Sequence, residues 1–328
     1  MKDLVKKTIL SSCVLRLISP RASAAILMYH SVMEDPAQHA DSLGGIIHSK
    51  SEFRAQMELV ARNYHPVSLE VVVQKLSVGD VLPRRSVVIT FDDGYSDNYE
   101  VAMPILNQFA IPATFYVTVD SVENRKLPWP SRLRFAFRTT KMPAWTDARA
   151  KSWDLRNTES REQAYLSSCD DCCQVAGTAQ EDFVRRIENQ LQARVPEESS
   201  FLMMNYEQVV GVARNGHIVG SHTMTHPNMA HINERDAEIE LTESKRRLEA
   251  ALGTPVPHFS YPCPAMTPHW TERTVAQCRS VGYASAVTTV GGVVRGGDNP
   301  LSLKRIRPTK TVAGLYWNLE CAFAGRVV

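Results

Sequence analysis

A run of β-branched and aromatic residues that ends in two adjacent carboxylates limits what this chain can fold into. The run covers Ser86–Phe91 and is followed directly by Asp92, Asp93 and Gly94. A short apolar run of this kind, bounded by a turn residue, is typical of a buried β-strand. Because ligands of α/β proteins bind at the carboxyl ends of parallel strands, the paired carboxylates indicate a functional edge of a sheet.

Similar apolar segments alternate with segments of helical spacing along much of the chain. This alternation predicts an α/β protein with a mostly parallel sheet covered by helices. The predicted strands lie within Ala24–Val32, Ser86–Phe91, Ile111–Val119, His217–His226, His258–Pro262, Tyr283–Thr289 and Leu303–Pro308. The predicted helices lie within Ser51–Tyr64 with Ser51 as N-cap, His65–Leu76, Asn98–Phe109, Tyr206–Arg214 and Asn233–Leu252, the last closed by Gly253.

Residues 120–200 lack this alternation, and we predict a mostly helical, lid-like insertion there, within a single domain of residues 25–328. The insertion contains Cys169, Cys172 and Cys173, which could bind a metal. No second cysteine pair follows them, and chance clustering is the preferred interpretation. The seven cysteines of the chain are odd in number and lack the spacing of a disulfide scaffold, which favours a reducing compartment.

The first 24 residues combine a basic start and an Ala22-x-Ala24 ending with an apolar stretch that Arg16 interrupts. We predict a short amphipathic helix, packed on the domain or lying on a membrane surface, and hence a cytoplasmic or membrane-peripheral protein. Export by a weak signal peptide is the alternative. With 37 Lys and Arg against 35 Asp and Glu, the chain lacks the basic excess expected of a nucleic-acid-binding protein.

Polar residues stand at the ends of four predicted strands: His30, the Asp92–Asp93 pair, His222 with His226, and the Ser260–Pro264 turn. One carboxylate and two imidazoles are a natural ligand set for a divalent metal with an open position. The second aspartate would then be free to act as a general base. Each feature alone is weak, since an Asp-Asp-Gly turn and a His-x-x-x-His spacing both recur without function. Together, at strand ends, they favour a metal site.

Several segments resemble the polysaccharide deacetylase family, which is the NodB-homology domain of carbohydrate esterase family four. Leu27–Val32 is similar to the subgroup whose catalytic histidine lies near the N-terminus through a permutation of the motif order. The resemblance covers Ile26–Val119 and Tyr206–Pro308 and leaves the insertion unexplained. The other segments that carry it are Thr90–Tyr99, Ile111–Val117, Gly220–Ala230, Ser244–Gly253 and Phe259–Pro262.

The resemblance implies a distorted seven-stranded (β/α) barrel and a divalent metal, usually zinc; cobalt, nickel and manganese also suit the donor set. Matched residue by residue, the implied metal ligands are Asp93, His222 and His226. Asp92 is the implied catalytic base and His30 the implied catalytic acid. The family's C-terminal Leu-x-His motif is not evident, so the acid assignment depends on His30, for which a purely structural core role is the alternative.

The turn formed by Tyr261, Pro262 and Cys263 is the implied oxyanion and substrate site, with the Cys263 N–H as donor. The family turn commonly ends in Tyr-Gly or Phe-Gly, whereas this chain continues from Cys263 into proline, so we expect a different substrate fit. Ser260 stands where many members carry an arginine that orients the base. Arg305 is the candidate to replace that arginine.

These residues predict a metal-dependent hydrolase that removes N-acetyl groups from amino sugars of a polysaccharide, cell-envelope glycan or glycolipid. A deformylase or another C–N amide hydrolase is the alternative on the same scaffold, and a non-catalytic glycan-binding protein is the alternative of a different class. The expected partner is the glycan or glycolipid itself, and no sequence feature indicates an oligomeric state. Trp129, Trp145 and Trp153 are expected either to stack on sugar rings or to pack the insertion's own core.

Overall fold

The structure is a computed structural model that describes residues 22–326. Nearly all of the predicted N-terminal segment, residues 1–24, lies outside the described residues, as does Cys13. Ser23 and Ala24 belong to the first strand. Within the described part of the chain, no helix is both long and apolar enough to cross a membrane.

Strands and helices alternate along the described residues. The strands are β1 (Ser23–Tyr29), β2 (Ser31–Met33), β3 (Ile47–Ser49), β4 (His65–Pro66), β5 (Ser86–Phe91), β6 (Ala113–Val117), β7 (Ala144–Thr146), β8 (Ser152–Asp154), β9 (Ile218–Ser221), β10 (His258–Ser260), β11 (Ser285–Gly291), β12 (Val294–Arg295) and β13 (Leu303–Arg305). The α-helices are α1 (Ala40–Leu43), α2 (Lys50–Asn63), α3 (Leu69–Ser77), α4 (Met103–Gln108), α5 (Val119–Glu123), α6 (Trp129–Thr139), α7 (Thr158–Cys172), α8 (Gly177–Leu191), α9 (Tyr206–Arg214), α10 (Glu234–Leu252), α11 (Glu272–Val281) and α12 (Val312–Phe323). A π-helical turn lies at Asn98–Ala102, and short 3₁₀ turns lie at Pro36–His39, Gly44–Ile46, Glu197–Leu202 and Pro300–Ser302.

A nearly closed barrel of seven parallel strands forms the body of the fold, in the order β1, β5, β6, β9, β10, β11 and β13. The chain after β13 returns to β1, because the Ile306 N–H donates to the Ile26 carbonyl (2.8 Å) and the Met28 N–H donates to the Ile306 carbonyl (3.0 Å). The prediction of a distorted seven-stranded (β/α) barrel is therefore confirmed. The short β12 pairs antiparallel with β1, and β4 pairs parallel with the start of β5.

Apolar residues on one face of the strands pack inside the barrel, and those on the other face pack against the surrounding helices. Every residue of β5 is buried, as expected of a parallel strand that is covered on both faces. The Phe91 and Phe115 rings stack with 4.8 Å between their centroids, and Tyr29 and Phe53 extend this aromatic cluster. Because the strands of the barrel are parallel, their carboxyl ends, with the polar residues that follow them, lie around one rim.

Two helix boundaries show how local capping decides where a helix begins and ends. The prediction that Ser51 caps α2 is wrong. Ser49 is the N-cap, since its side chain accepts from the Glu52 N–H (3.2 Å) while the Glu52 carboxylate accepts from the Ser49 N–H (2.9 Å). Helix α10 ends at Gly253, as predicted, and the φ of 68° there is a left-handed conformation that glycine adopts without strain.

The segment predicted as an insertion packs around a core of its own. Helices α6, α7 and α8 surround this core together with the β7–β8 hairpin, which the sequence pattern did not predict. Its buried members include Trp129, Trp145, Trp153, Cys169, Cys172 and Cys173. The tryptophans are therefore packed inside rather than exposed to sugars. The three thiols are free and belong to no metal-binding group among the described residues.

Gly220→Ala tests the close packing of β9 inside the barrel. A Cβ at Gly220 would lie 2.4 Å from Cδ1 of Tyr116 and 3.0 Å from the His258 carbonyl oxygen, so the buried Tyr116 ring or the neighbouring strand would have to move. We expect the free energy of unfolding, measured by urea titration, to fall by about 1–3 kcal/mol. Gly296→Ala is the matched control, because a Cβ there would have no atom within 4 Å. Equal stability of the two variants would contradict this packing.

Candidate active site

A cavity of about 470 Å³ opens at the rim where the parallel strands end. The ends of several strands contribute to its walls, because the carboxyl ends of parallel strands meet at one end of a barrel. Residues 42–48 and the insertion contribute the remaining walls. The lining residues that come from the barrel are Met28, His30, Asp92, Asp93, His222, His226, Cys263, Pro264, Thr289, Arg307 and Pro308.

Asp93, His222 and His226 meet in this cavity. The Nε2 atoms of His222 and His226 lie 3.4 and 3.3 Å from the same oxygen, Oδ1 of Asp93, and all three side chains are buried. Among residues 22–326, this is the one group of His, Cys, Asp or Glu side chains whose ligand atoms are close enough to hold a single metal ion. Burial opposes the charge of Asp93, but the two imidazoles hold the pKa of its carboxyl well below its ordinary value.

The geometry of these side chains fits a divalent cation. Ligand atoms about 2.0–2.1 Å from a tetrahedral metal lie about 3.3–3.4 Å from one another, which is the spacing between Asp93 and each of the two histidines. Oδ1 of Asp93 is buried without a hydrogen bond from the described residues. Nδ1 of His222 lies 2.7 Å from the Ser260 carbonyl, which leaves Nε2 as the atom that faces Asp93. The donor set suits zinc and other first-row divalent ions.

The loop that carries both histidines has an unusual backbone, and Glu240 holds it. Thr223 and His226 have φ values of 69° and 62°, a region that β-branched residues in particular avoid. The Glu240 carboxylate on α10 accepts hydrogen bonds from the Met224 and Thr225 N–H groups, at 2.7 and 2.9 Å. Burial raises the pKa of Glu240 to about 7, against the effect of these hydrogen bonds. The strained loop is thus fixed by a helix of the barrel.

Asp92 forms a buried, bidentate ion pair with Arg305. Nη1 and Nη2 of Arg305 lie 2.8 and 2.7 Å from the two carboxylate oxygens, and the arginine side chain is fully buried. The guanidinium also donates to the Thr288 carbonyl (2.8 Å) and the Ser260 hydroxyl (3.1 Å). Burial opposes ionisation of Asp92, but the Arg305 charge outweighs it and holds the pKa of the carboxyl below its ordinary value. The structure therefore brings Arg305 to the residue predicted as base, from β13 rather than from β10.

His30 lies between β1 and β2 and lines the cavity together with the two aspartates. Nδ2 of Asn98 donates to the His30 carbonyl (2.6 Å). The Asp97 carboxylate accepts from the Ser31 hydroxyl (2.6 Å) and the Val32 N–H (3.0 Å), which fixes the segment that follows. Burial lowers the pKa of the His30 imidazole, and the neighbouring carboxylates oppose this shift.

The turn after β10 contributes less to the cavity than the resemblance implies. The Tyr261 ring is buried and its hydroxyl donates to the Leu301 carbonyl (3.1 Å), and neither Tyr261 nor Pro262 lines the cavity. Cys263 does line it, with Sγ 3.2 Å from Nε2 of His269. The backbone N–H of Cys263 makes no hydrogen bond with the described residues. Cys263 is thus the member of the turn that can meet a ligand.

Three contacts at this site were not predicted from the sequence. Nε1–H of Trp129 in the insertion donates to the His226 carbonyl (2.9 Å). His48 on β3 is buried beside Tyr29 and lines the cavity. Glu240 holds the histidine loop, as described above. Only Glu240 carried a usable signal, since a charged residue on the buried face of an amphipathic helix needs a buried partner.

Glu240→Gln tests whether the histidine loop depends on this carboxylate. Glutamine can still accept from the Met224 and Thr225 N–H groups, but it lacks the carboxylate's negative charge and must donate to the Thr225 hydroxyl, so the hydrogen bonds that hold the loop become weaker. We expect the affinity of metal-stripped protein for Co²⁺, measured by absorbance titration, to fall about 10–100-fold. Glu243→Gln is the control on the same helix, because it changes a carboxylate that pairs with Arg246 instead. An unaltered Co²⁺ affinity in Glu240→Gln would refute the dependence.

Known proteins resemble this chain in sequence over most of its length. The polysaccharide deacetylase family model matches residues 79–166 and 181–286, which include much of the segment predicted as an insertion. YxkH of Bacillus subtilis (strain 168), a protein named for the same family, is 20% identical over 294 residues, which are 89% of this chain and 74% of that protein. The poly-beta-1,6-N-acetyl-D-glucosamine N-deacetylase of Escherichia coli (strain K12) is 39% identical over 66 residues, which are 20% of this chain and 10% of that protein.

Solved structures share the fold at low sequence identity. The Streptococcus pyogenes deacetylase PplD, solved in complex with acetate, has a TM-score of 0.60 and 20% identity, covering 91% of this chain and 99% of that one. IcaB from Ammonifex degensii has a TM-score of 0.59 and 18% identity, covering 91% of this chain and 97% of that one. The family model matches more than half of the residues of this chain, and the chain therefore belongs to the polysaccharide deacetylase family.

Proposed function

We propose that this protein is a metal-dependent hydrolase that removes N-acetyl groups from amino sugars of a polysaccharide or cell-envelope glycan. The observation that carries the proposal is a pair of adjacent carboxylates in one cavity with different partners. Asp93 lies beside His222 and His226, whereas Asp92 is paired with Arg305. The first set suits a Lewis-acid metal, and the second suits an ionised base.

The names of similar proteins support acetyl, rather than formyl, as the group removed. One relative is named as an N-deacetylase of a poly-N-acetylglucosamine, and one deacetylase of the same fold was solved with acetate. A non-catalytic, glycan-binding role is less well supported, because the implied base, the implied acid and the three implied metal ligands all line the cavity.

Asp93, His222 and His226 would hold the metal, for which we propose zinc; cobalt, nickel or manganese suit the same donors. Such a metal supplies a Lewis acid that polarises the amide carbonyl and lowers the pKa of a water molecule. The protein's own part is to keep these ligands fixed. The Ser260 carbonyl orients His222, and Glu240 holds the loop between the two histidines.

Asp92 would accept a proton from the attacking water. Arg305 keeps the carboxylate ionised and, by binding both of its oxygens, fixes its orientation from a strand of the barrel. Both side chains are buried, so the surrounding residues restrict their movement. A positioned base of this kind contributes a large part of the rate of such a hydrolysis.

His30 would donate a proton to the departing amine nitrogen. Burial lowers the pKa of His30, which makes its imidazolium a stronger acid. The Cys263 N–H would donate to the oxyanion that develops when water attacks the carbonyl carbon. The C–N bond then breaks, and the products are acetate and the free amine of the sugar.

Acetate release from a panel of N-acetylated oligosaccharides tests the proposed activity. We expect metal-stripped protein to release no acetate, and added Zn²⁺ or Co²⁺ to restore release. His222→Ala is expected to lose bound metal and activity together, whereas His65→Ala, at an exposed histidine of β4, should retain both. Formate release from N-formyl sugars, without acetate from N-acetyl sugars, would identify a deformylase instead. Full metal content in His222→Ala would refute the ligand set.

Asp92→Asn removes the proposed base without removing a metal ligand. We expect kcat for acetate release to fall about 10²–10⁴-fold while the zinc content, measured by mass spectrometry, stays at the wild-type level. The substitution leaves Arg305 with a neutral partner, so thermal unfolding followed by circular dichroism serves as the control for folding. Near-normal kcat in a folded Asp92→Asn variant would show that another group is the base.

A further inference from the structure

A second cavity, of about 320 Å³, adjoins the candidate active site on the surface of the insertion. We call it the arginine groove, after Arg134, Arg138, Arg156 and Arg161, which line it. We propose that the arginine groove binds the phosphate of a phosphate-bearing, N-acetylated sugar. The substrate of the proposed deacetylase would then be an anionic glycan or glycan precursor rather than a neutral one. In this respect the inference rests on the proposed function.

The arginine groove adjoins the active-site cavity, because Arg134, Glu162 and Tyr165 line both of them. A ligand with its acetamido group at Asp93 and His226 can therefore extend into the groove. The two volumes, about 470 and 320 Å³, are each of the size that ligand pockets have, so a sugar in one leaves room for a substituent in the other.

Positive charge exceeds negative charge in the arginine groove. Glu162 lies between two arginines, with 3.8 Å from Oε1 to Nη1 of Arg134 and 3.6 Å from Oε2 to Nη2 of Arg138. Both separations exceed the length of a hydrogen bond. Arg161 donates to the Leu155 and Arg138 carbonyls, at 2.7 and 2.9 Å, which orients its guanidinium without neutralising it. Glu162 is thus shared by Arg134 and Arg138, and Arg161 forms no ion pair with a carboxylate of the described residues.

The other charges of the groove do not cancel this excess. Arg156 pairs with Asp154 (2.9 Å), which does not line the groove, and Asp41 is the second carboxylate of its wall. Four arginines are therefore balanced by three carboxylates, two in the wall and Asp154 outside it, which leaves one net positive charge. The whole chain has 37 basic residues against 35 acidic ones, so the excess is a local feature and not a consequence of a basic protein.

Arg134 is held in place at the junction of the two cavities. Its guanidinium lies against Gly44, where a Cβ would come within 2.6 Å of Nε, and 5.5 Å over the Tyr165 ring. Guanidinium groups fixed in this way bind oxyanions through charge-assisted hydrogen bonds at a reduced entropic cost. Phosphate is favoured over carboxylate because it offers three acceptor oxygens to three guanidinium groups, whereas a carboxylate offers two.

Binding of inorganic pyrophosphate to the full-length, metal-stripped protein tests the groove without any contribution from the metal or from turnover. By isothermal titration calorimetry, we expect Arg138→Gln and Arg134→Gln each to weaken binding about tenfold. Arg185→Gln is the matched control, because Arg185 lies on the same insertion but pairs with Glu181 on α8. Any of three results would overturn the phosphate site. These are no binding of pyrophosphate to the wild-type protein, equally weakened binding in Arg185→Gln, or tighter binding of glucuronate than of pyrophosphate.

Turnover by the metal-loaded enzyme tests the substrate class. We expect kcat/KM for acetate release from N-acetylglucosamine 1-phosphate to exceed that from methyl N-acetylglucosaminide about tenfold, and Arg138→Gln to remove this preference. A nucleotide diphosphate sugar and a lipid diphosphate sugar, assayed in parallel, distinguish the sources of the phosphate. Equal kcat/KM for phosphorylated and neutral sugars would overturn the groove and leave the proposed function intact. Pyrophosphate binding that depends on Arg138, without acetate release from any sugar, would support the groove and refute the deacetylase.

Discussion

Burying two adjacent carboxylates at the end of one strand is the constraint on which the rest of the site depends. An unpaired buried charge is strongly destabilising, so each carboxylate needs compensation from a distant part of the chain. Arg305 supplies it for Asp92, and the imidazoles of His222 and His226 supply it for Asp93. Neighbours in sequence thereby acquire different electrostatic surroundings, which is what a base and a metal ligand at adjacent positions require.

The same compensation depends on closure of the barrel and on the insertion. Arg305 on β13 reaches β5 because the Ile306 hydrogen bonds join the end of the barrel to β1, which pairs with β5. On the other side of the cavity, Trp129 donates to the His226 carbonyl (2.9 Å), and the Gly177 N–H donates to the Thr225 hydroxyl (3.2 Å). The histidine loop is therefore held by the insertion as well as by the barrel. Two hydrogen bonds thus join the insertion, which walls one side of the cavity, to the loop that carries His222 and His226.

Much of this arrangement could be predicted from sequence, because a buried parallel strand is an unbroken apolar run and a polar residue at its end is a local feature. Asp92, Asp93 and His222 were found in this way. The contacts of Glu240 and Trp129 were not, since their roles depend on which loop the folded chain places against them. The β7–β8 hairpin was also missed, because its three-residue strands are too short to show a period of two.

Ser260 explains why the guanidinium beside Asp92 comes from β13 rather than from β10. The resemblance implied an arginine at this position on β10, but the small serine leaves space that the Arg305 side chain fills from β13, and its hydroxyl accepts from Nη2 of Arg305 (3.1 Å). An arginine at both positions would place two like charges against one carboxylate, at a high desolvation cost. The physical requirement is one cation beside buried Asp92, and any strand whose end faces the barrel interior can meet it. Arg305 extends from β13 and donates to Ser260 on β10 and to Thr288 on β11, so three strands fix its guanidinium. The guanidinium in turn fixes the direction in which Asp92 presents its oxygens to the cavity.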